Sequence, residues 1–223
     1  MPRPSIKSER KEEILQAYER CMALYGVEGA TQKRIAEEAG IARPLLRHHV
    51  GNNEELLLEA ARRYAERCKV SMQELADYPF SGLEGLLDVL FLDNSDVTSP
   101  ADTMIATGLI VVAQTDERIK AIMSDWFDDI QNKFEQVLTG LFPSAEKEEV
   151  ASIASGLIGI YFNLDALFPI KKGDVDFQKR SYRAARVLLM SLNSSTGDSC
   201  RGNSSPDNSS PGNSNPDNSN VGA

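Results

Sequence analysis

The sequence predicts an all-α protein, and three observations support that prediction. Between residues 9 and 192 the apolar residues recur at intervals of three and four, the spacing of one face of a helix. The prolines of this region lie near the ends of the periodic segments, at Pro44, Pro79, Pro100, Pro143 and Pro169. Of the 223 residues, 41% are hydrophobic, which is enough for a sizeable core.

About nine helices are expected, in two domains followed by a tail. The first helix covers residues 9–25, two short helices lie within residues 31–50, and a fourth covers residues 53–77. The same periodicity predicts the remaining helices at residues 82–93, 101–113, 116–141, 145–168 and 175–192. From Asn203 to Asn220 a five-residue Asn/Ser/Pro unit recurs without large apolar residues, so we expect residues 193–223 to be a disordered tail.

Residues 31–50 have the pattern of two short helices joined by a tight turn. Thr31 is a suitable cap for the first helix, and Gly40 supplies the backbone freedom that a sharp turn needs. Leu46 and Val50, four residues apart, anchor a second helix with Pro44 in its first turn. This is the pattern of a helix-turn-helix, which indicates binding to duplex DNA.

The second of these helices carries basic residues on the face opposite Leu46. Since the N-terminal part of this helix enters the major groove, we expect Arg43, Pro44, Leu45 and Arg47 to face the DNA. Arginine reads guanine edges or holds phosphate, and the sequence leaves both roles open.

The chain resembles the TetR family of helix-turn-helix transcriptional regulators. The motif covers about residues 9–60, and the rest of the chain is similar in layout only. The resemblance rests on Gly26, Thr31, Ile35, Ala36, Ala39, Gly40, Ile41, Leu46, His49 and the run Glu54, Glu55, Leu56 and Leu57. It implies a three-helix DNA-binding domain at residues 8–52 and a helical effector-binding and dimerisation domain at residues 53–192.

The function implied by this resemblance is a homodimeric, cytoplasmic repressor. Such a protein is released from a palindromic DNA operator by a small-molecule effector, here expected to be mostly apolar. The DNA-binding residues implied by the motif are Thr31, Gln32, Lys33, Ala42, Arg43, Pro44, Leu45, Arg47, His48, His49 and Asn53.

Four positions depart from the family pattern. Pro44 replaces a small residue, Arg47 a tyrosine, Val50 a phenylalanine and Asn53 a lysine. Two customary phosphate contacts are therefore absent, and Arg47, His48 and either Asn52 or Asn53 are candidates to replace them. The departures leave an alternative open, a helical dimeric interaction protein whose DNA-reading head has degraded.

The net charge of −9 is unevenly distributed. Residues 1–70 contain 13 Lys and Arg against 11 Asp and Glu, a net charge of +2, whereas residues 71–223 contain 11 against 22, a net charge of −11. An acidic body repels the phosphate backbone, so we expect it to orient the N-terminal domain towards DNA and to limit non-specific binding.

The later helices mix apolar residues with a few polar ones, as an effector pocket does. The candidate effector residues are Met104, Thr107, Trp126, Phe127, Tyr161 and Asp165. Core packing is the alternative for each aromatic residue. A buried Asp165 would favour a cationic or hydrogen-bond-donating ligand, whereas on a solvated or hydrogen-bonded face it would have no such role.

Two apolar stripes are expected to form the dimer interface. They consist of Ile153, Gly156, Leu157 and Ile160 on one helix and Tyr182, Ala185 and Leu189 on the last. The alternative is that both stripes are core of a single subunit, because periodicity does not name the partner of a face.

Neither catalysis nor a cofactor or metal is expected. Cys21, Cys68 and Cys200 lack metal-binding or disulfide spacing, and His48 and His49 are adjacent, so they project about 100° apart on a helix. His48 leaves pH sensing as an alternative role, since imidazole titrates near neutrality. No leader sequence and no uncharged apolar run of about 18 residues is present, so no membrane association is expected.

Overall fold

The computed structural model describes residues 6–92, 100–171 and 173–194, and all regular secondary structure in these ranges is helical. The ten helices are α1 (Ile6–Gly29), α2 (Gln32–Glu38), α3 (Arg43–Val50), α4 (Asn53–Asp77), α5 (Leu83–Phe91), α6 (Pro100–Val112), α7 (Glu117–Leu141), α8 (Lys147–Ala166), α9 (Phe168–Lys171) and α10 (Val175–Ser194). The all-α prediction is confirmed. The expected number of nine was one too low, because α9 has only four residues and shows no helical period.

Helices α1 to α3 form the N-terminal head. Gly26, with φ of +71°, interrupts α1 just after the end predicted from its apolar residues. The Thr31 hydroxyl caps α2 by accepting a hydrogen bond from the backbone N–H of Arg34 at 3.4 Å. Gly40, with φ of +63°, makes the turn into α3, where a side chain would be strained. The two short helices and their turn therefore lie where the sequence predicts them.

The long helix α4 begins in a capping box. The side chain of Asn52 accepts a hydrogen bond from the Glu55 N–H at 2.8 Å, and the Glu55 carboxylate accepts one from the Asn52 N–H at 3.0 Å. The preceding Gly51 has φ of +76°, and a Cβ there would lie 1.9 Å from the Glu55 Oε2. Glycine at this position therefore allows the box to close directly after α3.

The body is built around α4, α7 and α8, with α10 packed against α8. Tyr64 of α4 and Phe162 of α8 lie on either side of Trp126 of α7, and each ring centroid is 5.8 Å from that of Trp126. Helix α10 also contacts α5, where the Tyr182 hydroxyl donates a hydrogen bond to Glu84 at 2.9 Å. Aromatic packing thus joins α4, the helix that follows the head, to α7 and α8.

The layer between α8 and α10 corrects part of the expected dimer interface. Leu157, Ala185 and Leu189 are completely buried within the single chain. They form core of the protomer and have no surface to offer a partner, so the intramolecular alternative holds for these three. Ile153, Gly156, Ile160 and Tyr182 are half-buried. The outward faces instead present the exposed residues Ser152, Ser155 and Gly159 on α8 and Ala184, Val187 and Ser191 on α10.

In the part of the chain that the structure describes, every helix is too short or too polar to span a bilayer. Helix α10 extends to Ser194, two residues into the segment expected to be a tail. The repeat from Asn203 to Asn220 lies outside the described residues.

Candidate nucleic-acid interface

Helix α3 has one buried face and one exposed face. Leu46 is completely buried and Val50 is 9% exposed, which fixes the rotation of this eight-residue helix against α1 and α2. The exposed residues are Arg43, Pro44, Leu45, Arg47 and His48, and Ala42 precedes them as an exposed N-cap. Four of them, Arg43, Pro44, Leu45 and Arg47, are the residues that the sequence predicts to face the major groove.

The two arginines of α3 differ from Arg20 of the head and from Arg63 and Arg67 of α4. Among the described residues, Arg43 and Arg47 form no ion pair. Arg20, by contrast, pairs with Glu38 at 2.6 Å, and both Arg63 and Arg67 pair with Glu19. The cations of α3 therefore remain available to phosphate or base edges without first breaking an internal pair.

The start of α4 lies beside the start of α2. The Gln32 Nε2 donates a hydrogen bond to the Asn53 Oδ1 at 2.8 Å. This contact uses the carbonyl oxygen of the exposed Asn53 and leaves its amide N–H groups as donors. Lys33 is exposed too and lies 3.9 Å from Glu37, a weak pairing at the surface.

Two of the implied DNA-binding residues have structural roles. The Thr31 hydroxyl caps α2, although the residue is exposed. His49 is half-buried, and its ring meets that of His48 edge-on at 5.4 Å between centroids. The His49 Nδ1 is buried without a hydrogen-bond partner among the described residues. His49 therefore lies at the border between the buried and exposed faces of α3, whereas His48 is exposed.

A network of ion pairs joins the head to the body, and no residue of it was singled out from the sequence. Glu19 of α1, 8% exposed, accepts hydrogen bonds from the Arg63 Nε at 2.9 Å and the Arg67 Nη1 at 2.6 Å. Arg67 also reaches Asp102 of α6, with 2.5 Å between Nη2 and Oδ1. Arg63 pairs in addition with Glu12, and this hydrogen bond lowers the pKa of the Glu12 carboxyl. We call Glu12, Glu19, Arg63, Arg67 and Asp102 the junction network.

The sequence does not reveal this network, because its partners are brought together only by the tertiary fold. Arg63 and Arg67 stand four residues apart and so share one face of α4. Their acidic partner Glu19 is 44 residues away from Arg63 in sequence, and helix periodicity gives no means of pairing them.

The structure divides the six candidate effector residues among several places. Trp126 is buried in the aromatic core, whereas Met104 and Phe127 are 37% and 41% exposed. Tyr161 lies against Phe91, with ring centroids 6.4 Å apart. Core packing, the alternative considered for each aromatic residue, thus describes Trp126 best.

The two polar candidates lie close to one residue of α6. The Thr103 hydroxyl donates a hydrogen bond to the half-buried Asp165 at 3.2 Å, and the Thr107 hydroxyl donates one to the Thr103 carbonyl at 2.8 Å. Asp165 is therefore a hydrogen-bonded residue that links α8 to α6.

A cleft of about 230 Å³ lies between α1, α4 and α6, away from all six candidates. Its walls include Glu19, Arg67 and Asp102 of the junction network, with Ala23 and Ile105 as apolar neighbours. Arg67 is paired with Glu19 and Asp102, and Arg20, which also lines the cleft, is paired with Glu38, so the cleft coincides with the junction.

Comparison with known proteins finds matches to part of this chain. The model of the N-terminal domain of bacterial regulatory proteins of the tetR family matches residues 14–60, which contain α2, α3 and the capping box of α4. Over 87 residues the chain is 39% identical to the HTH-type transcriptional repressor AcnR of Corynebacterium jeikeium, a stretch that covers 39% of this chain and 43% of that protein. The match thus spans less than half of the length of that repressor.

Longer alignments extend into the body. The chain is 27% identical over 165 residues to the HTH-type transcriptional regulator BetI of Agrobacterium fabrum, which covers 72% of this chain and 79% of that protein. A crystal structure of a TetR-family transcriptional regulator from Mesorhizobium loti has the same fold, with a TM-score of 0.64 at 14% identity over 86% of this chain and 98% of the other. The head thus matches the family model of bacterial regulatory proteins of the tetR family, and the chain shares its fold with a TetR-family regulator.

Proposed function

We propose that this protein is a sequence-specific DNA-binding transcriptional regulator that acts as a repressor in the cytoplasm. The observation that supports this proposal is the exposed face of α3, where Arg43 and Arg47 stand without an acidic partner among the described residues. A head that had lost its DNA-binding role would have no need for two unpaired cations on the helix that a helix-turn-helix inserts into the groove.

The core of the head sets the orientation of α3 on the DNA. Because Leu46 and Val50 are buried, rotation of α3 would require repacking, and the arginines keep a fixed direction. In the major groove they would read guanine edges or hold phosphate. The Asn53 amide, at the positive end of α4, would donate to a backbone phosphate in place of the lysine that the family has there.

The protein would act as a homodimer through the outward faces of α8 and α10. Their exposed residues include the small Ser155, Gly159 and Ala184, the apolar Val187 and Met190, which are 69% and 46% exposed, and the basic Arg183. Small residues allow two such faces to approach closely. A two-fold axis would then bring two α3 helices to successive major grooves of a palindromic operator, roughly 34–36 Å apart.

Release from the operator would follow binding of a mostly apolar small-molecule effector in the body. Coupling of about 1–3 kcal/mol between the effector and DNA sites is sufficient for several-fold to hundredfold release.

Selection of bound duplexes from a random DNA library by the purified protein tests the function. We expect enrichment of a two-fold palindrome by the wild type, and loss of that enrichment in Arg43→Ala and Arg47→Ala. Arg62→Ala is a matched control, because Arg62 is exposed on α4, outside α3. Folded wild-type protein that enriched no sequence would contradict the proposal and favour the interaction protein with a degraded head.

A further inference from the structure

The exposed face of α3 contains one feature that charge does not account for. Leu45 is 50% exposed, although the other two apolar residues with long or branched chains on this helix, Leu46 and Val50, are buried. In sequence it lies between Arg43 and Arg47, which neighbour each other one turn apart on α3, and it follows the exposed Pro44. A leucine on the groove-facing side of an eight-residue helix occupies a position where a polar side chain would be better solvated.

Hydrogen bonding cannot be the means by which this part of α3 reads DNA. Pro44 has no backbone N–H, and the side chain of Leu45 has neither a donor nor an acceptor. Opposite guanine, adenine or cytosine, a leucine would cover the polar edge of a base and leave it without its water. In the major groove, the 5-methyl group of thymine is the feature that an apolar side chain contacts favourably.

We propose that Leu45 is a specificity-determining residue that selects a thymine in each half-site by contact with its 5-methyl group. This inference rests on the proposed function and makes it more specific. Arg43 and Arg47, which lie one turn apart on the same flank of α3, would then contact other positions, so that the half-site combines an apolar contact with charged ones. Leu45 would also act against guanine or cytosine at that position, because their polar edges would be left unsatisfied.

The experiment uses the palindrome from the library selection and replaces its thymines, one position at a time, with deoxyuridine. This change removes the methyl group and keeps every hydrogen-bonding atom. We expect one thymine position of the half-site to be sensitive to this change. Replacing it in one half-site should lower the affinity of the wild type about fourfold, and replacing it in both half-sites about fifteenfold, as the transfer free energy of a methyl group predicts. Leu45→Ala should bind the thymine and uracil duplexes equally at that position.

Two further variants separate methyl recognition from altered folding. Leu45→Met keeps an apolar side chain of similar volume and should still prefer thymine. Leu24→Ala truncates another exposed leucine of the head, 69% exposed on α1, and should discriminate as the wild type does. Each variant is first compared with the wild type by circular dichroism, since truncation of a half-exposed leucine should not unfold the head.

The outcomes distinguish the two proposals. Absence of an enriched site would overturn both the regulatory function and the role of Leu45. A palindrome at which the wild type never distinguishes thymine from uracil would overturn the role of Leu45 alone. The same conclusion would follow if Leu45→Ala retained the full discrimination, because the methyl group would then be contacted by another residue.

Discussion

The junction network and the layer between α8 and α10 join helices by different interactions. At the junction, Glu19 is held by two arginines, and one of these also reaches Asp102. In the layer, Leu157, Ala185 and Leu189 are completely buried. Interdigitated apolar side chains allow few alternative packings, whereas ion pairs tolerate small shifts and respond to pH and salt.

This difference indicates which part of the molecule is suited to movement. In the proposed regulator, the head must change its position relative to the body when the effector binds. The junction, where ion pairs and a cleft lie between α1 and the helices α4 and α6, is where we expect such a shift. The α8–α10 layer would hold its geometry and carry the dimer.

The largest effect is expected from a truncation in the apolar layer. Leu189→Ala should lower the free energy of unfolding by about 2–5 kcal/mol, because it removes a completely buried side chain and leaves a cavity. Denaturant unfolding followed by circular dichroism, at equal protomer concentrations, would measure this loss. Val70→Ala, at a residue that is 53% exposed on α4, should change stability by no more than about 0.5 kcal/mol. Equal losses in the two variants would contradict the rigid layer.

A smaller loss is expected at the junction. Glu19→Gln leaves one oxygen to accept from two arginines and turns an N–H₂ group towards them, so we expect a loss of about 1–3 kcal/mol. Arg63 and Arg67 keep Glu12 and Asp102 as partners, which limits the damage. The control is Glu13→Gln, which removes an exposed pair with Arg10 and should cost less than about 1 kcal/mol. A loss no greater in Glu19→Gln than in Glu13→Gln would mean that the junction contributes no more than the surface.

How well the sequence predicts each region depends on how far apart along the chain its interacting residues lie. The head was predicted in detail, since the Thr31 cap, the Gly40 turn and the Leu46–Val50 spacing are all set within a few residues. The stripes of α8 and α10 were also found, but periodicity gave the face and not its partner, and three of their residues proved to be core. The junction network escaped prediction for the same reason, because Glu19 and Arg63 meet only after folding.

The candidate site was predicted unevenly as well. The Leu46–Val50 spacing predicts the buried face of α3, and Arg43, Leu45 and Arg47 lie outside that face, so sequence was sufficient. The effector candidates were chosen by residue type, and type does not tell a core aromatic such as Trp126 from a pocket wall.

The two regions should also differ in their response to pH. The hydrogen bond from Arg63 lowers the pKa of Glu12 from its ordinary value of 4.5, so Glu12 contributes stability that is present above about pH 4.5 and is lost as the pH falls through the lowered value. The stability difference between the wild type and Glu12→Gln should therefore shrink on acidification below pH 4.5. The deficit of Leu189→Ala involves no titrating group and should stay constant over the same range. A Glu12→Gln difference that was independent of pH would show that the ion pair adds nothing to stability.

The smallest effect concerns how closely α8 approaches α10. A Cβ at Gly156 would lie 2.9 Å from the Leu188 Cδ1, whereas a Cβ at Gly140 in α7 would meet no atom within 4 Å.

Replacing a helical glycine with alanine stabilises a protein by roughly 0.5–1 kcal/mol, because alanine restricts the unfolded chain and has the higher helix propensity. Gly140→Ala should show a gain of this kind, whereas Gly156→Ala should show less or none, because Leu188 must shift. Leu188 is contacted at the far end of a flexible side chain, so Gly156→Ala should still fold, and thermal unfolding of both variants would resolve the difference. Equal gains would mean that the two helices are less closely packed than the apolar layer requires.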